Sequence, residues 1–435
     1  MTTFADLGLS EQLLKALALT NLTTPTPIQE QAIPHIMAGS DLMGLAQTGT
    51  GKTAAFGLPL LHRILDIGHP PGPRNVRALI LAPTRELVTQ IADNLTTFTK
   101  GTPAKVTTVV GGASIFRQSE RLAKGTDVLV ATPGRLIDLL ERGDVKLDQC
   151  GYLVLDEADH ILDMGFIHSL RKIAKYIPLR RQTMLFSATM PKDIEELAST
   201  YLRNPIKVQV SPPGKPADKV TQAVHFMPQG DKAKILEGYL KEHPGERCIV
   251  FGRTKHGSEK LMKLLVTWGF KAGSIHGNKS QNQRDRTLQE FRAGEVEVLV
   301  ATDVAARGID IPGVKHVYNY DMPNVAENYV HRIGRTARAG TEGRAIAFCA
   351  PAEMGEFRDI EKLLKKAIPV VGGAPWSGDA IAAAPKPGQN RGARPQHKPR
   401  GNAPAKPDAS KARPPRAARP QGKPGGVTAP RRAAR

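Results

Sequence analysis

The sequence predicts an α/β protein with two tandem parallel-sheet lobes followed by a basic C-terminal tail. Short, continuously apolar runs alternate with helical segments, which is typical of parallel strands that are covered on both faces. The alternation stops at a Pro-rich segment near Ser211 and then resumes, which indicates a second lobe. The last 51 residues carry almost only positive charge, and this separates the tail from the lobes.

The predicted organisation has four parts: a first lobe over residues 1–208, a linker over 209–221, a second lobe over 222–370 and a tail over 371–435. From Pro385 onward, 14 Lys or Arg stand against the single acid Asp408, a net +13 of the +20 carried by the chain. This stretch has no Phe, Trp, Tyr, Leu or Ile to offset its ordering entropy, and we expect it to be disordered. A solubilising linker and a nucleic-acid-binding arm both fit such a tail, and its charge density favours the arm.

Composition narrows the class of protein further. No apolar run is long enough to cross a bilayer, and the first residues lack the basic and apolar regions of a secretory signal. The three cysteines lie far apart with no CxxC pair, which predicts neither a zinc site nor a disulfide framework. We therefore expect a cytoplasmic protein with no membrane association and no metal held by cysteine. We also expect a monomer.

Polar motifs follow the apolar runs of both lobes. Ligands of parallel sheets bind at the carboxyl ends of the strands, so these motifs are predicted to meet at one edge of each sheet. The runs are Leu79–Ala82, Val128–Ala131, Tyr152–Leu155 and Met184–Phe186 in the first lobe, and Cys248–Phe251, Val298–Ala301 and Val317–Tyr320 in the second.

One stretch of the first lobe is predicted to bind phosphate. Its glycines let the backbone N–H groups turn toward one anion, and a helix expected to begin at about Lys52 adds its positive end. Lys52 would then contact the outer phosphates and the Thr53 hydroxyl would hold Mg²⁺. An ordinary Gly-rich turn is the alternative, because Ala46 stands where the strict motif has Gly. The residues are Ala46, Gln47, Thr48, Gly49, Thr50, Gly51, Lys52 and Thr53.

Acidic and basic groups elsewhere complete the expected chemistry. Asp156 follows an apolar run and is predicted to hold Mg²⁺, directly or through water, and Glu157 to act as general base toward the attacking water. A solvated surface pair is the alternative. Arg335 and Arg338, three apart on a predicted helix, would reach the γ-phosphate as arginine fingers if the lobes close; the alternative is a basic helix face. Gln29, on a short helix over Gln29–Met37, would read the adenine edge unless it is an ordinary surface residue.

This ordered set of motifs resembles the DEAD-box family of RNA-dependent ATPases and helicases, named after the tetrapeptide found here at Asp156–Asp159. The resemblance covers about Phe4 to Lys366 and implies two RecA-like domains, an ATP and Mg²⁺ requirement, and ATP-dependent unwinding or remodelling of RNA. The segments Arg253–Gly257, His276–Gln281 and Asp359–Leu364 look like the bacterial RhlE-like branch.

The resemblance also implies roles for individual residues. Phe4 would pack near the adenine read by Gln29, and Asp310 would reach the ribose. Coupling between the ATP site and strand separation would fall to Asp159, Ser187, Thr189, His331 and Arg332. RNA would contact Pro83, Thr84, Arg85, Gly112, Thr132, Gly134 and Arg135 in the first lobe, and Arg253, Gln281, Arg284 and Thr302 in the second.

Two departures from the family pattern concern Asn21-Leu22, where Gly and an aromatic are usual, and Ala337, where Gly is commoner. Since Ala is the better helix former, the second is expected to do little harm. An RNA clamp or annealing chaperone would share the same site, and a DNA helicase is a further alternative. The expected partner is RNA, with ribosome-assembly or RNA-decay proteins as candidates.

Overall fold

The computed structural model describes residues 2–20, 22–47, 49–210, 220–306, 311, 313–337 and 341–376. None of the helices in these ranges is both long and apolar enough to span a bilayer. The described residues form the two predicted lobes. The predicted linker and tail lie largely outside them.

The first lobe alternates strands and helices from its first strand onward. Its strands are β1 (Leu42–Leu45), β2 (Val76–Leu81), β3 (Val106–Val109), β4 (Thr126–Ala131), β5 (Tyr152–Leu155), β6 (Gln182–Ser187) and β7 (Ile206–Gln209). Its helices are α1 (Glu11–Ala18), α2 (Pro27–Met37), α3 (Lys52–Leu65), α4 (Arg85–Phe98), α5 (Ile115–Leu122), α6 (Pro133–Glu141), α7 (Ala158–Asp163), α8 (Ile167–Ala174) and α9 (Lys192–Tyr201).

The second lobe repeats this alternation. Its strands are β8 (Val220–Phe226), β9 (Cys248–Phe251), β10 (Ala272–Ile275), β11 (Val298–Ala301), β12 (His316–Asn319), β13 (Gly343–Cys349) and β14 (Val370–Gly372). Its helices are α10 (Lys232–Glu242), α11 (Lys255–Thr267), α12 (Gln281–Ala293), α13 (Asp303–Ala306), α14 (Ala326–Ile333) and α15 (Met354–Leu364), with a short 3₁₀ helix at Pro351–Glu353.

Both sheets are parallel, have seven strands and share one topology. The strand order is β3-β4-β2-β5-β6-β1-β7 in the first lobe and β10-β11-β9-β12-β13-β8-β14 in the second. Subtracting seven from each strand number of the second lobe gives the order of the first. The predicted α/β class and the two similar lobes are therefore confirmed.

The central strands are buried on both faces, as their unbroken apolar runs predicted. All six residues of β2 are buried. Ile80 packs in a cluster with Phe56 of α3, whereas its neighbour Leu79 packs on the opposite face with Leu136 of α6 and Leu170 of α8. Helices on both faces thus leave the carboxyl edge of the sheet as the place where polar motifs meet.

The structure corrects two predicted boundaries. The predicted tail begins at residue 371, inside β14, and Trp376 Nε1 still donates to Cys349 O at 3.1 Å. The apolar pattern contained little sign of β14 because it is a three-residue strand paired to β8 only. The predicted linker likewise includes the last residue of β7 and the first two residues of β8.

Candidate nucleotide and RNA site

The polar motifs of the first lobe meet at the carboxyl edge of its sheet. Ala46, just after β1, donates its N–H to Ser187 O at the end of β6 at 3.0 Å. Asp156, just after β5, donates its N–H to Leu81 O at the end of β2 at 3.0 Å. Motifs that are far apart in sequence therefore lie side by side because their strands are neighbours.

The predicted phosphate loop has the backbone conformation that its glycines suggested. Gly49 and Gly51 have φ of 85° and 93°, and α3 begins at Lys52 as predicted. A Cβ built on Gly51 would collide with the Gln29 amide, so this glycine is required for space as well as for backbone angle. Ala46 is buried at the strand end, and Thr48 lies outside the described residues.

Gln29 ties the start of α2 to the phosphate loop. Its side chain is buried, its Oε1 accepts from Thr26 N at 2.9 Å, and its Nε2 donates to Gly51 O at 3.1 Å. Each end of the amide keeps one further hydrogen-bonding position, because a carbonyl oxygen has two lone pairs and an amide nitrogen two hydrogens. Phe4 is buried in the first lobe's core, in the same cluster as Leu13.

A cavity of about 420 Å³ opens beside this loop and is lined by both lobes. At its wall the Lys52 ammonium is buried and has no hydrogen-bond partner among the described residues. A buried, unpaired cation is costly, so this group is poised for an anion. The lining also includes Leu22, one of the two departures from the family pattern, and residues that the sequence did not single out: Leu87, Gln90, Asp93, Asn94 and Phe98 of the first lobe and Arg292 of the second.

The two predicted acids differ in electrostatics. Burial raises the pKa of Asp156 to about 6, because it outweighs the opposing charge of Lys52. Burial alone would also raise the pKa of Glu157, but the charge of His160 and its hydrogen bond at 2.9 Å reverse the direction. Lys52 and Arg335 add to this lowering. Glu157 is therefore ionised at neutral pH, and its backbone sits in the left-handed region at φ 50°, a strained conformation common at active sites.

Asp159 connects the acidic motif to β6 and to the second lobe. Its Oδ2 accepts from the Ala188 and Thr189 N–H groups at 3.1 and 3.0 Å and from the Thr189 hydroxyl at 2.9 Å. His331 of the second lobe approaches the same oxygen to 4.0 Å and packs edge-on against His160 with ring centroids 4.3 Å apart. Burial and the charge of His160 lower the pKa of His331.

Arg335 lies in the second lobe and acts electrostatically on the first. It is buried, its Nε donates to His331 O at 3.2 Å, and its charge lowers the pKa of Glu157. The sequence predicted that Arg335 and Arg338 lie on one helix. This is wrong for Arg335, because α14 ends at Ile333. Arg338 lies outside the described residues.

The expectation for Ala337 also needs correction, because the backbone at this position favours glycine. Its φ is 56°, in the left-handed region that disfavours residues with a Cβ by about 1–2 kcal/mol. Helix propensity, on which the sequence expectation rested, does not apply because the helix has already ended.

Arg332 is held by several partners within the second lobe. Its guanidinium makes a bidentate pair with Asp303 at 2.5 and 2.8 Å and donates to Asn319 Oδ1 at 3.2 Å and Asp321 O at 2.6 Å. It also lies 5.0 Å from the Phe251 ring centroid. These contacts join α14 to α13 and to the carboxyl ends of β9 and β12.

Arg332→Ala is expected to lower the free energy of unfolding of the second lobe by about 3–5 kcal/mol, because it leaves Asp303 without its partner. The chain's two tryptophans, Trp268 and Trp376, both lie in this lobe, so tryptophan fluorescence during urea unfolding reports on it directly. Arg286→Ala, which removes an exposed pair with Glu290, is the control and should cause a much smaller loss of stability. Equal losses in both variants would contradict the assignment.

The predicted RNA residues of the first lobe adjoin one another. Thr84 caps α4 by accepting from Leu87 N at 3.3 Å. A Cβ on Gly112, whose φ is 71°, would collide with the Arg85 guanidinium. Arg135 Nη1 donates to Ala113 O at 2.7 Å, which ties α6 to the loop that contains Gly112. Pro83 lies just after β2, Thr132 just after β4, and Gly134 in the first turn of α6.

The predicted RNA residues of the second lobe have protein partners. Arg284 Nη2 lies 2.9 Å from Glu86 Oε1 of the first lobe, and Gln281 Nε2 donates to the same oxygen at 3.2 Å. Arg253 Nη2 turns inward to Met322 O at 3.1 Å and Glu353 at 3.2 Å. Thr302 follows β11 and caps α13 through its carbonyl. Glu86 escaped sequence reasoning because its significance depends on the opposite lobe.

Comparisons with known proteins agree with this geometry. A family model described as DEAD/DEAH box helicase matches residues 26–197, and one described as helicase conserved C-terminal domain matches residues 231–340. The chain is 44% identical over 376 residues to the ATP-dependent RNA helicase CshA of Listeria monocytogenes, which covers 86% of this chain and 71% of that protein. The chain belongs to the DEAD-box helicase family.

Solved DEAD-box structures place the two lobes in the same fold class. The helicase matches S. cerevisiae Dbp5 bound to RNA and ADP BeF3 with a TM-score of 0.77 at 30% identity, over 86% of this chain and 96% of that one. It matches Mss116p bound to ssRNA and AMP-PNP with a TM-score of 0.78 at 28% identity, over 86% and 80% of the two chains. Both lobes are therefore RecA-like, and the protein is an ATP-dependent RNA helicase of the DEAD-box type.

Proposed function

We propose that this helicase binds ATP in the cavity beside Lys52 and single-stranded RNA across the adjoining edges of the two sheets. Closure of the lobes around both ligands would separate a few base pairs locally, and hydrolysis would reopen them. The observation that carries this proposal is the buried, unpartnered Lys52 ammonium in a cavity that both lobes line. ATP would thus act as a switch between two arrangements of the lobes.

The phosphate loop and the acids after β5 supply the proposed ATP chemistry. Gly49 and Gly51 shape the loop, Lys52 neutralises the outer phosphates, and Glu157 orients and deprotonates the attacking water. Gln29 and Phe4 are proposed to define the adenine end. Gln47 and Thr50 belong to the same loop, whereas Thr48, Asp310 and Arg338 lie outside the described residues and enter from sequence alone.

A magnesium ion fits the oxygen donors beside this loop. The Asp156 carboxylate and the Thr53 hydroxyl are hard oxygen ligands, and the buried carboxylate lacks a direct ion-pair partner among the described side chains. Held by Asp156 and Thr53, Mg²⁺ would supply positive charge that stabilises the negative charge developing on the phosphates.

Mg²⁺-dependent nucleotide binding is expected to weaken as the pH falls through about 6. A carboxyl whose pKa is raised keeps its proton to a higher pH, and the protonated Asp156 cannot bind the metal. Titration of a fluorescent ADP analogue with and without Mg²⁺, between pH 5 and 8, measures the effect. Asp156→Asn is the control, because it leaves only the pH dependence of the nucleotide's own phosphates. Identical pH profiles for the two proteins would contradict the proposal.

RNA recognition is proposed to follow the sugar–phosphate backbone. The loops around Thr84, Gly112 and Arg135 adjoin one another, and such backbone contacts would be largely independent of sequence. The 2′-hydroxyl would favour RNA over DNA. The Dbp5 and Mss116p structures that resemble this chain hold RNA, which supports the proposal.

Two measurements test the proposal. ATP hydrolysis with and without single-stranded RNA should show strong stimulation, and equal stimulation by DNA would favour a DNA helicase. Duplex separation should require hydrolysable ATP for turnover. RNA-stimulated hydrolysis without strand separation would leave the chain acting as an RNA clamp.

The finer assignments rest on sequence. We infer that the helicase belongs to the RhlE-like branch, from the segments Arg253–Gly257 and His276–Gln281. We also propose a cytoplasmic monomer that acts on RNA with ribosome-assembly or RNA-decay proteins. Analytical ultracentrifugation of the full chain tests the oligomeric state.

The basic tail is proposed to add electrostatic RNA affinity. Deleting residues 385–435 removes 14 cations, so RNA binding should weaken and its salt dependence should flatten, by about 0.7 in the log–log slope for each phosphate that the tail neutralises. Basal ATP hydrolysis should stay unchanged. A full-length variant with these Lys and Arg changed to Gln is the matched control and should behave like the deletion. An unchanged salt dependence of RNA binding would refute the proposal that the tail binds RNA.

A further inference from the structure

Helix α5 holds an exposed aromatic ring next to the proposed RNA-binding loops. Phe116 is 69% exposed, the most exposed Phe, Tyr or Trp side chain in the described part of the chain. The opposite face of α5 is anchored by Gln118 and Leu122, which are buried. The exposed ring leaves an apolar face available for contact with a ligand.

A fixed guanidinium covers part of this ring. Arg142, at the end of α6, lies 5.5 Å from the Phe116 ring centroid. Asp144 holds it there by accepting from Arg142 Nε at 2.8 Å. Hydrogen bonds from both Arg142 and Ser119 lower the pKa of Asp144, so α5 and α6 are joined through one carboxylate. We name Phe116, Ser119, Arg142 and Asp144 the Phe116 platform.

The platform continues the proposed RNA groove. Gly112 lies only four residues before Phe116, and the bond from Arg135 to Ala113 O fixes the intervening loop against α6. Further exposed cations lie on α5 or just after it, at Arg117, Arg121 and Lys124, with one exposed acid, Glu120, among them. A positive surface with an exposed aromatic is the combination that single-stranded nucleic acid prefers, because phosphates meet the charges and a base meets the ring.

We propose that Phe116 and Arg142 form a stacking site for one unpaired nucleobase of the RNA strand, just beyond the backbone contacts of the first lobe. The site rests on the proposed RNA-binding function and adds a contact that the backbone groove does not make. Every residue of the platform belongs to the first lobe, so the contact does not depend on closure. It would keep hold of the strand when hydrolysis reopens the lobes.

The test compares the RNA affinity of the wild-type full chain with that of Phe116→Ala. Affinity is measured by fluorescence anisotropy of a labelled 20-nucleotide single-stranded RNA, with no ATP or ADP added. A base stacked on an aromatic side chain contributes enough that the loss should be about 5- to 20-fold. Phe116→Trp should bind within about 2-fold of wild type, since it keeps a stacking surface. Leu179→Ala, at another exposed apolar residue, is the control and should have no effect.

A second arm uses an oligonucleotide of the same length whose nucleotides lack bases. Wild type and Phe116→Ala should bind it equally, because no base is present to stack. Equal affinity of the two proteins for normal RNA would overturn the platform, as would the same loss on the abasic strand, which would indicate a backbone or protein-partner role. A wild-type chain that neither binds RNA nor responds to it in ATP hydrolysis would overturn the proposed function as well.

Discussion

Glu157→Gln is expected to reduce RNA-stimulated ATP hydrolysis by about 10²- to 10⁴-fold, the usual contribution of a positioned general base. The amide keeps the shape of the side chain and can still contact water, but it cannot accept a proton. Binding of ATP and RNA should persist, because the phosphate loop and the RNA loops are unchanged. The variant should therefore accumulate in the RNA-bound, ATP-bound state.

The electrostatics of the site explain how Glu157 would work. In the structure its pKa lies well below the usual range, which makes it ionised but weakly basic. Bound phosphates would partly neutralise the positive charges of Lys52 and Arg335. The pKa of Glu157 would then rise toward a value better suited to proton transfer. The hydrogen bond from His160 keeps the carboxylate oriented throughout.

Single-turnover hydrolysis at saturating ATP and RNA is the measurement, with nucleotide binding followed separately. Glu141→Gln makes the same chemical change at an acid that is 47% exposed and paired with Lys172, and it should keep the wild-type rate within about twofold. Hydrolysis by Glu157→Gln within tenfold of wild type would exclude Glu157 as the base.

Arg335→Ala is expected to reduce hydrolysis by about 10³- to 10⁵-fold, the range for an arginine finger. The residue is buried, belongs to the second lobe, and its charge is felt by Glu157 in the first. Arg335→Lys should also be severely impaired, because an ammonium cannot reproduce the planar, bidentate donor geometry of guanidinium. ATP affinity without RNA should change little, since the phosphate loop lies wholly in the first lobe.

A loss of hydrolysis in Arg335→Ala can be distinguished from a folding defect of the second lobe. Arg358→Ala, at an exposed arginine of α15, is the matched control and should retain wild-type hydrolysis. Tryptophan fluorescence of the second lobe should show that Arg335→Ala unfolds at nearly the same urea concentration as the control. A folded Arg335→Ala protein with RNA-stimulated hydrolysis near the wild-type rate would refute the finger.

Much of the architecture could be predicted because it is local in sequence. The unbroken apolar run at Leu79–Ala82 predicted a strand buried on both faces, and β2 is such a strand. Gly49 and Gly51 predicted the bend of the phosphate loop because few other residues adopt positive φ, and Lys52 begins α3 as expected. Polar residues directly after strands predicted the edge at which the site forms.

Features that depend on the other lobe, or on packing across a sheet, required the tertiary structure. Glu86 pairs with Arg284, which lies almost two hundred residues away in the sequence. His331 packs against His160 of the first lobe. Helix propensity suggested that Ala337 was harmless, but the chain had already left α14 for a left-handed turn.

The sequence by itself therefore determined the fold class, the strand runs and the motifs of the ATP site, because backbone preference and apolar periodicity act over a few residues. Only the tertiary structure decided which charges face one another and which arginines are already occupied, as Arg332 and Arg253 are. Those properties arise from distances between groups that chain order leaves open, and they set the pKa values and contacts on which the proposed mechanism depends.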